Sequence, residues 1–383
     1  MKKKGLLPAV LLLLGLSGAP GFALDIDPFP GFDDGRSGAL GGPHVAVVDD
    51  FAAMFTNPSS LVATKPSVSL GRIDLKVAGP VFDIANIFLG GGDATAGVLQ
   101  VLADQNYKLY TAVDLSGPLA LGYMGEGLGF GIFMKTHALL DVASISSIKA
   151  EVYEDLVITG GYGLRVDLTH RNVLDFGVLA KGFVRGSMGL TGGIVDLSAL
   201  LADPTSIING DFTLTSGIGL DLGMRWDWAN TISIGIACRD LFSPVLVSKY
   251  TSATAFLANS EAPTTTQGLV QPDLSAGFAI RPPLGIFGRV FDSILFTGDY
   301  DRFLDLFKPI ARNAILNARV GLELRVLEVL TLRVGISEAL LHAGVDFNLG
   351  FAHVNASAWG QELGYEPGAR PVYNLLIGMD FVY

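Results

Sequence analysis

Five histidines, His44, His137, His170, His342 and His353, are the side chains best suited to catalysis or metal binding in this 383-residue chain, and they are scattered. No HExxH sequence sets two imidazoles on one helix face, and no GxSxG turn presents a nucleophilic serine. A P-loop and a dinucleotide fingerprint are also missing. Gly90-Gly91-Gly92 has the backbone freedom to approach a phosphate, but no strand and helix frame it, and it reads as a flexible loop. The only cysteine, Cys238, excludes an intramolecular disulfide and sits at an apolar parity, as a small packing residue would. An enzyme is therefore not expected. A hydrolase built from Ser, His and Asp on separate strands remains the weakest open alternative, and nothing calls for a cofactor or a metal. The residues that do carry physical consequences are of other kinds: a small-residue segment around Gly35–Pro58, the sequence Ser116-Gly117-Pro118, and two apolar stripes in long connections.

The elements that must hold these residues are strands. In Asp211–Trp228, Phe212, Leu214, Ile218, Leu220, Leu222, Met224, Trp226 and Trp228 share one parity, while Asp211, Asp221, Arg225, Asp227 and several Gly and Thr share the other. Only an extended chain separates these sets onto two faces, and the run exceeds the usual five or six residues of a globular strand. Similar alternation marks Ile148–Leu168, Val173–Gly186, Thr231–Leu241 and Asn313–Arg325. The expected fold is all-β: a transmembrane antiparallel β-barrel of about fourteen strands, within a range of twelve to sixteen. Long connections, such as Ala78–Asn106, Ser187–Gly210 and Phe242–Val270, follow odd-numbered strands, whereas short ones mostly follow even-numbered strands. Outer-membrane barrels keep short turns in the periplasm, so both termini are expected there. A soluble β-sandwich shows the same alternation, but strand length and the signs of export disfavour it.

Composition agrees. Half the residues are apolar and mean hydropathy is +0.46, yet beyond the first two dozen residues no apolar run is long enough for a membrane helix. Lys2, Lys3 and Lys4 precede a short apolar stretch, Leu6–Leu16, and Gly21 and Ala23 suit cleavage before Leu24; residues 1–23 read as a signal peptide. Without those three lysines, 23 basic residues face 37 acidic ones, which argues against nucleic-acid binding. The last strand alternates Tyr373, Leu375, Ile377, Met379, Phe381 and Tyr383 with smaller or polar residues. Ten steps of about 3.3 Å at a tilt of roughly 40° part the two tyrosines by about 25 Å, the height of a barrel's apolar band. A strand ending on an aromatic residue resembles the signal read by the outer-membrane barrel assembly machinery, an expected partner through Tyr383.

Residues 24–66 differ from the barrel at 67–383. Gly35-Arg36-Ser37-Gly38-Ala39-Leu40-Gly41-Gly42, then Ala46, Asp49-Asp50, Ala52 and Asn57-Pro58, resemble the N-terminal hatch signature of the long-chain fatty acid transporter (FadL) family. They are also similar to PorV-type proteins and spirochaetal relatives. Where family members continue Asn-Pro with Ala-Gly or Ala-Ala, this chain has Ser59-Ser60. The resemblance implies a hatch inside a fourteen-stranded barrel, with Gly35, Gly41, Asp49, Asp50, Asn57 and Pro58 as its motif. Lumen-facing arginines such as Arg225, Arg319 or Arg333 are expected beside Asp49 and Asp50, because a buried carboxylate needs such a partner.

Three functional readings follow. Passive uptake of hydrophobic small molecules such as long-chain fatty acids is favoured by the hatch resemblance. Val81, Ile84, Ile87 and Phe88, with Ile194, Leu197, Leu200 and Leu201, would receive the ligand; packing of those loop helices on one another accounts for the same stripes. Gly117 supplies no side chain and Pro118 no N–H to a ladder, so a kink or gap at Ser116-Gly117-Pro118 would give a lateral exit, an ordinary bulge being the alternative. The second reading is a scaffold or secretion-associated barrel without transport, as PorV likeness implies, and the third is the enzyme. Membrane lipid and a hydrophobic ligand are the expected partners, and a monomer is the expected state.

Overall fold

The computed structural model describes residues 34–89, 94–309 and 311–383. The expected signal peptide, residues 24–33 and Gly90-Gly91-Gly92 lie outside the described residues. Period-two alternation forms the strands, and the charged parity turns inward. In β6 (Phe212–Trp228), Asp221, Arg225 and Asp227 are buried, whereas Ile218 on the other parity is exposed. The outward set continues around the wall through Val178, Ile234, Phe296, Val320 and Ile377, all exposed. Phe176, Leu220, Leu222 and Leu322 share that outward parity, and Asp175 and Arg319 point inward, as the alternation predicts.

Along the chain the segments are β1 (Ser67–Ala78), β2 (Leu109–Gly125), β3 (Leu128–Ser144), β4 (Ser147–Thr169), β5 (Asn172–Gly192) and β6. Then come β7 (Ile232–Phe242), β8 (Pro244–Tyr250), β9 (Thr264–Leu269), β10 (Asp273–Ile280) and β11 (Phe291–Tyr300). The last five are β12 (Ala318–Val326), β13 (Leu330–Ser337), β14 (Leu340–Asn348), β15 (His353–Glu362) and β16 (Pro371–Val382). Neighbours pair antiparallel, and β1 pairs with β16, so the sheet closes. Both β7 and β8 pair with β6, and they form one strand interrupted at Ser243. Likewise β9 and β10, pairing with β8 and β7, are one strand interrupted at 270–272. The sixteen segments among the described residues thus make a fourteen-stranded barrel.

Several boundaries differ from the sequence reading, and the Asn313–Arg325 alternation becomes strand only from Ala318, after a 3₁₀ turn at Ala314–Asn317. Phe242–Val270 is not wholly a connection, because β8 and β9 carry the wall onward. Pro244 and Pro272 lack N–H donors and mask the strand signal there. Toward the opposite rim β5 runs past Gly186 to Gly192, and β4 is 23 residues long, more than the ~10 needed to span an apolar band. The extra length supports helices above the rim.

Pairing of Ser67 with Met124 and of Ser69 with Val382 sets the start of β1, the β2–β3 turn and the end of β16 at one rim. The opposite rim carries the long connections, among them α4 (Val81–Leu89), α5 (Ala94–Asp104) and α6 (Ile194–Ala202). At the short-turn rim, Leu327 and Glu328 both adopt positive φ, 52° and 58°, a conformation costing an L-residue about 1–2 kcal/mol. Replacing the pair by Asn-Gly is expected to stabilise the barrel by about 1 kcal/mol, read as a higher urea midpoint in lipid-vesicle refolding.

Candidate functional site

Residues 34–66 lie against the inner face of the wall, and the sequence there dictates a chain of very close contacts. Asp34 caps α1 (Gly35–Leu40) by accepting from the Ser37 N–H at 2.7 Å. The helix ends at Gly41, whose φ of 94° suits glycine. A Cβ on Gly35 would stand 2.0 Å from Asn355 Oδ1, and one on Gly38 2.7 Å from the Trp359 ring. This helix therefore lies flat on the inner face of β12–β16 because its residues are small. The wall answers with inward glycines: Gly335 and Gly344 face Leu40 and Ala39, Gly235 faces Val45, and Gly177 and Gly223 face Pro58. After α2 (Ala53–Thr56), α3 (Ser60–Ala63) sets Leu61 against Gly129, Gly161 and Gly163.

Asn57 ties this segment to the wall. It is fully buried, its Nδ2 donates to the carbonyls of Val45 at 2.7 Å and Met224 at 3.2 Å, and its Oδ1 accepts from the Ser59 N–H. Here Ser59 supplies only a backbone donor, so the departure from the family's Asn-Pro-Ala pattern leaves this latch intact. Arg225 donates to the Ala46 carbonyl and Arg319 to that of Pro43. His44, whose partner the sequence did not indicate, is buried against Asp299, which also accepts from the Val45 N–H at 2.8 Å.

The partners of Asp49 and Asp50 differ from expectation. Asp49 pairs with Arg36 at 2.6 Å and Arg281 at 2.8 Å, and Asp50 pairs with Arg36 at 2.7 Å. Neither pairs with Arg225, Arg319 or Arg333. Both carboxylates are partly exposed at the short-turn rim, so the deep arginines lie elsewhere. Arg36 joins them to the wall through Glu323, 2.9 Å away, which also holds Arg333 at 2.8 Å. Arg36→Ala leaves Glu323 one guanidinium instead of two and is expected to weaken the seating by about 1–2 kcal/mol. Faster proteolytic nicking between residues 34 and 66 in detergent-solubilised protein checks this.

Beside this segment the wall is irregular. Pairing of β1 with β2 runs from Ala78 to Asp74, opposite Ser116, and resumes only at Ser69, opposite Gly122. Between β2 and β3 the register jumps from Ser116–Lys135 to Ala120–Phe133. Ser116-Gly117-Pro118 thus falls at the break. The matching bulge at Leu70-Gly71, visible against β16, was not anticipated. Gly117 takes φ +92°, and a Cβ there would stand 1.7 Å from the Arg72 carbonyl oxygen. The Ser69 hydroxyl donates to the Ala120 carbonyl at 2.6 Å, in place of a ladder N–H. A cavity of about 590 Å³ behind the break is lined by Arg36, Phe51, Ser69, Arg72, Ala120 and Phe133, among others. Farther in, Met54, Phe55, Leu61, Phe133, Phe183, Val245 and Val270 form an apolar cluster.

No family model and no curated protein matches the chain. Among solved structures it is similar to the Ralstonia pickettii toluene transporter TbuX, at 15% identity over 93% of this chain and 99% of that one, with a TM-score of 0.49. It is similar to a Pseudomonas aeruginosa FadL homologue at 9% identity over 95% and 99%, with a TM-score of 0.42. The Pseudomonas putida toluene transporter TodX gives 11% over 94% and 98%, with a TM-score of 0.41. At such identities and scores the likeness carries no statement about what this barrel transports.

At the long-loop rim the two apolar stripes meet. Ile84 and Ile87 of α4 and Ile194, Leu197 and Leu201 of α6 pack around Val98 and Leu102 of α5. Val81 and Leu200 are half-buried, and the side chain of Phe88 lies outside the described residues. Phe82 and Val195 remain exposed beside this cluster.

Proposed function

We propose that this chain is an outer-membrane channel of the FadL type for passive uptake of hydrophobic small molecules, hydrocarbons or long-chain fatty acids. Residues 24–66 act as the hatch, and cargo leaves sideways into the bilayer beside Gly117. The observation that carries this reading is the cavity against the inner wall where β1 and β2 lose their pairing. A break in backbone pairing at membrane depth is tolerated where it lines a cavity or is covered by protein, and the cavity beside Ser69 and Arg72 supports a passage there. The outward belt of Leu, Ile, Val and Phe supports placement in a membrane, where a water-soluble barrel would carry polar residues. The start of β1 and the end of β16 lie at the short-turn rim, which supports a periplasmic position for that rim. The strand β16, with Tyr373 and Ile377 facing outward, is the segment offered to the assembly machinery. The apolar cluster of α4, α5 and α6, fringed by Phe82 and Val195, is placed to capture ligand before it reaches the lumen. A single closed barrel with this function works as a monomer.

The test is transfer of a fluorescent long-chain fatty acid and of a neutral aromatic dye into vesicles holding the purified protein. Faster transfer of either than in protein-free vesicles is expected. Rates equal to those of protein-free vesicles for both would leave no transport to explain and return the chain to a scaffold role.

A further inference from the structure

A second interruption of the wall lies away from Gly117. Pairing of β6 with β8 ends at Gly217–Val245 and resumes with β7 at Leu220–Phe242. In the adjoining strand, pairing ends at Pro244–Leu269 and resumes at Arg239–Asp273. From the lumen the interruption is sealed by a buried polar knot. Lys181 Nζ sits 3.1 Å from Asp221 and 2.9 Å from Asp240, and the Ser243 hydroxyl donates to Asp240 at 2.6 Å. Next to the knot the seal is apolar, made of Phe183 and Val245 from the lumenal cluster.

On the outside this interruption meets missing side chains. Gly160 and Gly182 stand at outward positions where a Cβ would touch nothing within 4 Å. The result is a recess of about 830 Å³, floored by Phe183 and Val245 and walled by outward Leu156, Ile158, Ile218 and Leu246. Its volume falls in the range of small-molecule sites, roughly 300–1,000 Å³. Polarity changes at one edge: Glu154, two residues from Leu156, and Gln267, two from Leu269, are both exposed on the same face and toward the long-loop rim. The site thus runs from an apolar slot to a polar lip, the profile of an amphiphile seated from the bilayer.

We propose that this recess binds one acyl chain of a membrane lipid, with its headgroup at the level of Glu154 and Gln267. The proposal rests on the membrane placement above but not on what the lumen transports. An acyl chain here completes the wall where the ladder is broken, against the outer side of the side chains that pack on Met54 and Phe55 of the hatch.

The test uses full-length protein reconstituted in vesicles of equimolar palmitoyl-oleoyl phosphatidylethanolamine and phosphatidylglycerol, released into mild detergent for native mass spectrometry. Gly182→Phe fills the slot, and Ala318→Phe adds the same ring to the exposed start of β12 as a control. Flotation with the vesicles confirms insertion of each variant, and so tests membrane placement separately. The wild type and Ala318→Phe are expected to keep one phospholipid more than Gly182→Phe. Equal retention by all three proteins overturns the site, as does equal loss by both variants. A wild-type dimer that Gly182→Phe splits also overturns it, making the recess a contact between copies of this chain.

Discussion

Gly223→Val is expected to unseat residues 34–66, the proposed hatch, while leaving the barrel closed. The position is an ordinary strand residue, paired across β5 with Gly177, and valine suits a strand. Its Cβ, however, would lie 2.0 Å from Asn57 Oδ1 and 2.8 Å from the Pro58 nitrogen. Asn57 cannot retreat without giving up its two donated hydrogen bonds and the one from Ser59, two of the three buried. Overpacking of this kind costs about 1–3 kcal/mol. A shift of about 2 kcal/mol raises the population with the hatch displaced by roughly 30-fold. In planar bilayers this should appear as long-lived open events rare in the wild type, with an unchanged thermal unfolding midpoint. Asn57→Ala removes the same latch without the clash and should open less often. A closed Gly223→Val pore with intact hatch would mean that the wall, rather than this segment, yields.

The contrast between Asp221 and Ile218 shows why the barrel was legible. A strand exposes its two faces to different media, and alternation records both of them directly. The inward glycines were legible in principle as well. Gly177 in β5 and Gly223 in β6 stand on the charged parity, where a water-filled lumen would favour polar side chains; both mark wall pressed by the Pro58 backbone. Partners across the lumen left no such trace. Arg36 finds Glu323 across 287 positions, and His44 finds Asp299 across 255, through a closure that no local pattern encodes. Asp49 and Asp50 were assigned deep arginines because burial was assumed; at the rim they take a neighbour from their own segment. The break in β2 was visible because Gly and Pro announce it. Its counterpart at Leu70-Gly71 in β1 carries no proline, and a single glycine among 48 singles out nothing.

That counterpart supplies the sharpest test of the lateral route. A Cβ on Gly71 would have one neighbour within 4 Å, the Pro118 carbonyl oxygen at 3.6 Å, an ordinary contact distance. Gly71 therefore borders the break without being needed for its backbone geometry, unlike Gly117, whose positive φ and contact with Arg72 leave no room for a side chain. Gly71→Phe puts a ring into the unpaired stretch, where it can lie along Pro118 and the outward Leu70 and Ile73. The barrel should fold and residues 34–66 should stay seated, because none of them stands within 4 Å of a Cβ on Gly71. Transfer of the fluorescent fatty acid and of the aromatic dye into vesicles should fall to the protein-free rate. Binding of either ligand to the detergent-solubilised variant should persist, since the loop cluster at the far rim is untouched. Unchanged transfer by a folded Gly71→Phe protein would close this route and direct cargo past the hatch toward the short-turn rim.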